Sequence, residues 1–99
     1  MRRSGVIRHR SRTTERAMRD RRVFVAQMLE AHPICQRCSS ARSVDVHELV
    51  RRSQGGSTLD PANCRALCRL CHAWIGAYPA AAEAEGWAVT AKRSGMRDQ

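Results

Sequence analysis

Apolar side chains recur at helical spacing in two stretches of the chain. The first stretch predicts a helix from Thr13 or Thr14 to about Ala31, which Pro33 ends. Its first half is basic, and its second half carries an apolar stripe made of Phe24, Val25, Met28 and Leu29. The second stretch predicts a helix from about Leu70 to Tyr78. Pro79 can then open a last short helix, Ala80–Glu85, which Gly86 would close.

Between the two helical stretches the pattern changes to a period of two. Val44–Val50 has β-branched residues at alternate positions and predicts a strand. Residues 54–57 (Gln-Gly-Gly-Ser) and 60–63 (Asp-Pro-Ala-Asn) predict turns, the first because glycine tolerates positive φ. Helices and strand together predict a small α+β domain.

Charge changes this picture, because the chain is strongly basic. Its 99 residues carry a formal charge of +9, with nine arginines and three acids in residues 1–34 and six arginines and three acids in residues 35–72. Arginine neutralises phosphates and binds them through two nitrogens, so this distribution favours a nucleic-acid partner over the alternative of biased composition and solubility. No apolar stretch is long enough to span a membrane. No secretory leader is visible, and the odd cysteine count predicts a reducing, cytoplasmic location.

Five cysteines are many for so short a chain. Cys35 and Cys38 form one Cys-x-x-Cys pair, and Cys68 and Cys71 form another after 29 intervening residues. Two such pairs can complete a tetrahedral shell of four sulfurs, for which zinc is the expected ion. The alternative is a set of buried or redox-active thiols. The fifth, Cys64, is predicted to be a buried free thiol rather than a ligand.

Histidine, asparagine and glycine residues fall in a definite order around these pairs. In sequence they are Val44-Asp45-Val46-His47-Glu48-Leu49-Val50, Gly55-Gly56, Asp60-Pro61-Ala62-Asn63 and Leu67-Cys68-Arg69-Leu70-Cys71-His72. Over about residues 35–78 the chain resembles the HNH endonuclease family, in its four-cysteine zinc branch of phages and bacteria. The resemblance implies a zinc-stapled ββα-metal (His-Me finger) domain, here with an N-terminal and a C-terminal helix. It also implies a metal-dependent DNA endonuclease of low sequence specificity.

The resemblance assigns roles to single residues. His72 matches the final histidine that binds the catalytic divalent ion (Mg²⁺, Mn²⁺, Ni²⁺ or Zn²⁺), and Asn63 matches the asparagine that holds the hairpin. For the strand there are two alignments. In the favoured one, which is counted back from Gly55-Gly56, His47 is a second metal ligand and Glu48 stands where the family has its general-base histidine. In the other, shifted by one residue, His47 is the base and Asp45 supplies the metal carboxylate, two residues away on the same strand face.

Four arginines flank these positions and are predicted to bind DNA phosphates: Arg51, Arg52, Arg65 and Arg69. The basic helix is expected to hold the DNA backbone without reading bases. Phage packaging (terminase) proteins are partners that the resemblance suggests. The alternatives to a nuclease are a non-catalytic zinc-ribbon module that binds nucleic acid, and a decayed nuclease that acts as an adaptor.

The expected organisation has four parts. Residues 1–12 form a disordered basic arm, residues 13–34 the N-terminal helix, residues 35–88 the HNH domain and residues 89–99 a frayed tail.

Overall fold

A computed structural model of the chain describes residues 11–90. Its elements, in chain order, are α1 (Arg12–Ala31), β1 (Asp45–Glu48), two 3₁₀ turns (Arg52–Gln54 and Pro61–Asn63), β2 (Cys64–Leu67), α2 (Arg69–Ala77) and α3 (Pro79–Glu85). The two strands pair as an antiparallel hairpin that leads directly into α2. This confirms the predicted α+β class and the ββα order. None of the helices within residues 11–90 has the length and apolarity that a membrane crossing requires.

Helix α1 begins at Arg12, one or two residues before the predicted start at Thr13 or Thr14. The hydroxyl of Ser11, not of Thr13 or Thr14, caps it by accepting a hydrogen bond from the Thr14 backbone N–H at 3.1 Å. The last turn ends at Ala31, before Pro33. Of the predicted stripe, Phe24 and Met28 are buried, four residues apart on one helix face.

The hairpin separates two packed layers because successive side chains of a strand point to opposite faces. Val46 and Cys64 face α1 and pack with Phe24 and Met28. On the opposite face Leu67 packs with the buried cysteines of the two Cys-x-x-Cys pairs and with Ile75 of α2. Cys64 is buried, as predicted, and burial raises the pKa of its thiol.

The chain after α3 folds back toward the hairpin. Gly86 has φ +90° and ends α3, and the Trp87 N–H then bonds the carbonyl of Ala82 at 2.9 Å. The Val89 N–H donates to the Leu49 carbonyl at 2.8 Å, so the first residues of the predicted frayed tail lie against the end of β1. Residues 91–99 and most of the predicted basic arm, residues 1–10, lie outside the described residues.

Candidate metal centres and active site

The four paired cysteines meet at one point beneath the hairpin. Their Sγ atoms all lie within 4.8 Å of one another, and Cys38 Sγ is 4.0 Å from Cys68 Sγ. A tetrahedral zinc ion with Zn–S bonds of about 2.3 Å holds its sulfurs about 3.8 Å apart, so this cluster needs little contraction to bind one. Four thiol donors at this spacing fit a structural zinc ion.

Each Cys-x-x-Cys pair forms a tight turn in which backbone N–H groups point toward the Sγ atom of the first cysteine. The N–H groups of Arg37 and Cys38 lie 3.4 Å from Cys35 Sγ, and the Cys71 N–H lies 3.3 Å from Cys68 Sγ. Backbone hydrogen bonds from Ala41 and Ser40 lower the pKa of the Cys38 thiol to about 6. Such N–H groups stabilise thiolates, which is the form that binds metal.

Asn63 ties together the loop that joins the strands. Its side-chain oxygen accepts from the Val50 N–H at 2.9 Å, and its amide donates to the carbonyls of Val50 at 3.0 Å and Ser57 at 2.9 Å. Gly56 lies in the same loop, where a Cβ atom would stand 1.8 Å from the Val50 carbonyl oxygen. These contacts fix the end of β1, the strand that carries His47.

Asp45, His47 and His72 converge on the hairpin face that is turned to α2. Asp45 Oδ2 lies 3.2 Å from His72 Nδ1, and the imidazole rings of His47 and His72 are 5.4 Å apart between centroids. Asp45 and His47 share this face because they are two positions apart in β1. His72 reaches them from the first turn of α2, immediately after Cys71. The cysteine cluster thus brings together residues that are 27 positions apart.

The ring of His47 is held by a backbone carbonyl. Its Nε2 lies 2.5 Å from the carbonyl oxygen of Trp87. The side chain is partly buried, and this burial lowers the pKa of the imidazole.

Glu48 is turned away from these residues, toward α1. Its Oε2 pairs with the guanidinium of Arg21 at 2.6 Å, and the same guanidinium donates to the carbonyls of Thr58 and Val46. Strand alternation explains the placement, because Glu48 shares its face with Val46 rather than with His47. The structure therefore brings His47 and His72 together with Asp45, the carboxylate of the second alignment, and turns the Glu48 carboxylate to the opposite face of the strand.

Comparison with known proteins agrees with this geometry. Residues 35–76 match the family model described as HNH endonuclease. The matched segment includes both Cys-x-x-Cys pairs, His47 and His72, and this part of the chain is similar to an HNH domain. No curated protein and no solved structure gave a significant match. Helix α1 and the segment from Ala77 onward, which supplies Trp87, lie outside the matched residues.

A cleft of about 380 Å³ opens beside His47 and His72. Its lining includes His47, Glu48, Arg51, His72 and Thr90, although the Glu48 carboxylate itself pairs with Arg21 on the α1 side. The cleft thus combines the two imidazoles with the guanidinium of Arg51. Residues 88–90 form its opposite wall.

The four predicted phosphate ligands have different surroundings. Arg51 is exposed at the cleft, while Arg52, also exposed, lines a neighbouring groove beside α1. Arg69 pairs with Asp45 at 2.9 Å, next to His72. Arg65 is partly buried and donates to the carbonyls of Ala62 and Cys64, so its guanidinium already has protein partners.

Sequence reasoning missed two residues near this candidate site. Arg37, inside the first cysteine turn, donates to Cys71 Sγ at 3.4 Å and pairs with Glu85 at 3.2 Å. Trp87 reaches His47 through its main chain, which no side-chain motif could have revealed.

Proposed function

We propose that this protein is a metal-dependent endonuclease that hydrolyses phosphodiester bonds of DNA. The observation that carries the proposal is the convergence of Asp45, His47 and His72 beside a cleft, in a domain of the HNH family. A binding module would need the cysteine cluster and the basic surface but no such convergence of ionisable groups.

Asp45 and His72 are the residues that would hold the catalytic divalent ion. Neighbouring ligand atoms that bound one such divalent ion would stand about 3.0 Å apart. The 3.2 Å between Asp45 Oδ2 and His72 Nδ1 fits this separation. Among residues 11–90 the cysteines are the only group of three or more such side chains close enough to share an ion.

His47 is the proposed general base. A carbonyl oxygen can only accept, so Nε2 bears the ring proton toward Trp87 and the neutral ring keeps its lone pair on Nδ1. Nδ1 takes a proton from water, whose oxygen bonds to phosphorus as the bond to the 3′ oxygen breaks. The leaving 3′ oxygen takes a proton from solvent water and the imidazolium returns its proton to solvent, so the products are a 5′-phosphate and a 3′-hydroxyl. The bound ion would supply positive charge to the phosphate oxygens and the leaving oxygen.

This assignment follows the second of the two strand alignments. The first alignment required Glu48 to act as base, and the ion pair with Arg21 on the α1 side opposes that role. We therefore assign the role of base to His47 instead of Glu48. The metal ligand on β1 is then Asp45 instead of His47. Asn63 keeps its predicted task of holding the hairpin.

The route of the DNA is proposed from the exposed arginines. Arg51 borders the active cleft, and its neighbour Arg52 lines a groove of about 800 Å³ with Arg22 and the first turn of α1. Arg22 and Arg52 are exposed and have no ion-pair partner among residues 11–90. The sugar–phosphate backbone of a duplex that ran from the cleft along this groove would neutralise the charges of these arginines. It would need no contact with the bases.

A cleavage assay with matched variants tests the proposal. We expect purified protein to nick or cut plasmid with Mg²⁺, Mn²⁺, Ni²⁺ or Zn²⁺ and to lose this activity with EDTA. Asp45→Ala and His72→Ala should both lower kcat by about 100-fold or more, as removal of a catalytic group does, while the surface control Glu30→Ala should not. Absence of cleavage with every ion at low salt would instead favour the non-catalytic zinc-ribbon module.

The location, the catalytic ion and the protein partners complete the proposal. The activity belongs in the cytoplasm, where cysteine ligands stay reduced. The choice of catalytic ion stays a prediction of the resemblance. The same holds for phage packaging proteins as partners.

A further inference from the structure

We infer that the segment from Pro79 to Thr90 is a positioning element of the active site, and that Glu85 and Trp87 set the orientation of His47. This segment lies beyond residues 35–76, which match the HNH family model. The inference rests on the proposed function, because it assumes that His47 is the base.

The first contact is the one between Trp87 and His47. The 2.5 Å separation joins His47 Nε2 to a main-chain oxygen that can only accept. This contact fixes both the tautomer and the rotation of the ring. Nδ1 is thereby left as the nitrogen with the free lone pair, and the ring is partly buried, so few other partners compete for Nε2.

The carbonyl of Trp87 is itself held on both sides. Before it, Gly86 turns the chain and the Trp87 N–H bonds the Ala82 carbonyl at 2.9 Å. After it, the Val89 N–H bonds the Leu49 carbonyl at 2.8 Å, two residues beyond His47. The oxygen is thus fixed relative to the strand that carries the imidazole.

The indole of Trp87 continues this chain of contacts to the cysteine cluster. Its Nε1–H donates to Glu85 Oε1 at 2.9 Å, and the same oxygen accepts from Arg37 Nε at 3.2 Å. Arg37 also donates to Cys71 Sγ at 3.4 Å. Glu85 therefore joins the first cysteine turn to the residue whose carbonyl orients His47. The Glu85 carboxylate thus links the cysteine cluster to His47.

Two variants test this coupling without touching His47 or a cysteine. Glu85→Ala removes the shared acceptor, and Trp87→Phe keeps the carbonyl and the ring packing but removes the indole N–H. For both we expect kcat to fall about 10- to 100-fold, as displaced supporting contacts do, with KM for DNA and zinc content unchanged. Glu30→Ala makes the same change of charge on exposed α1 and should leave kcat at the wild-type value.

A second measurement reports on the orientation itself. With ¹⁵N-labelled histidine, long-range proton–nitrogen spectra show which ring nitrogen is protonated, and His47→Asn assigns the signals. We expect one tautomer with the proton on Nε2 in the wild type, and a mixture in Glu85→Ala and Trp87→Phe. If both variants keep the single tautomer and the wild-type kcat, or if they lose zinc and unfold, the inference is wrong. Because the spectra need no activity, a wild type that fails to cut DNA refutes the proposed function but leaves this test intact.

Discussion

Replacing Glu48 by glutamine separates the two hypotheses about this residue. As a general base, Glu48 would be needed for cleavage and of little importance for stability. As the partner of Arg21, it would matter for stability and not for cleavage. Glutamine has nearly the same shape and keeps an acceptor oxygen, but it removes the negative charge. The structure supports the second role, because the 2.6 Å contact attaches α1 to the hairpin.

The magnitude follows from the burial of the pair. The side chains of Arg21 and Glu48 are 28% and 24% exposed, so the pair is only partly screened by solvent. A hydrogen bond between charged groups contributes about 1.5–3 kcal/mol net. Since glutamine retains part of that bond, we expect Glu48→Gln to lower the free energy of unfolding by about 1–2 kcal/mol. Each kcal/mol corresponds to a Tm decrease of about 4–8 °C in a domain of this size.

Urea unfolding and plasmid cleavage should be measured on the same protein preparations. Glu48→Gln is expected to be less stable and to keep wild-type kcat below its Tm. His47→Gln is expected to show the opposite pattern, with stability nearly kept and kcat lowered by about 100-fold or more. A double-mutant cycle with Arg21→Met isolates the coupling energy of the pair. If Glu48→Gln abolishes cleavage while its unfolding curve matches the wild type, our assignment of the base is wrong.

Three further predictions concern the metal, the loop and the DNA. Stripping zinc with a chelator, or Cys68→Ser, should abolish cooperative unfolding seen by circular dichroism, because zinc binding of about 10–16 kcal/mol exceeds the stability of a small domain. Gly56→Ala should cost about 1–3 kcal/mol, since its Cβ would meet the loop backbone, whereas Gly76→Ala in α2, with open space around it, should stabilise by about 0.5–1 kcal/mol; equal urea midpoints would contradict this. Arg22→Ala and Arg52→Ala should each lower the slope of log Kd against log salt by about one, because each removes one phosphate contact. An unchanged slope would exclude this groove as the route of the DNA.

The sequence alone was enough for the helices, for β1 and for the cysteine pairs, whereas β2 followed only from the family resemblance. The apolar spacing before Pro33, the helix stop at Gly86 and the turn residues around Gly55 act locally, so they can be recognised without a fold. The two Cys-x-x-Cys pairs are equally local, and their chemistry admits few partners other than zinc. Asn63 was singled out by the resemblance, and in the structure its side chain bonds to the backbone of Val50 and Ser57.

Only the tertiary structure decided which side chains share the site. Counting from Gly55-Gly56 favoured Glu48, but a strand sends neighbouring residues to opposite faces, and packing of Val46 and Cys64 on α1 fixed which face that was. The partner Arg21 lies 27 residues away, beyond any local pattern. The Trp87 carbonyl is a main-chain group that every residue possesses, so its contact with His47 depends on how α3 packs and leaves no trace in the sequence.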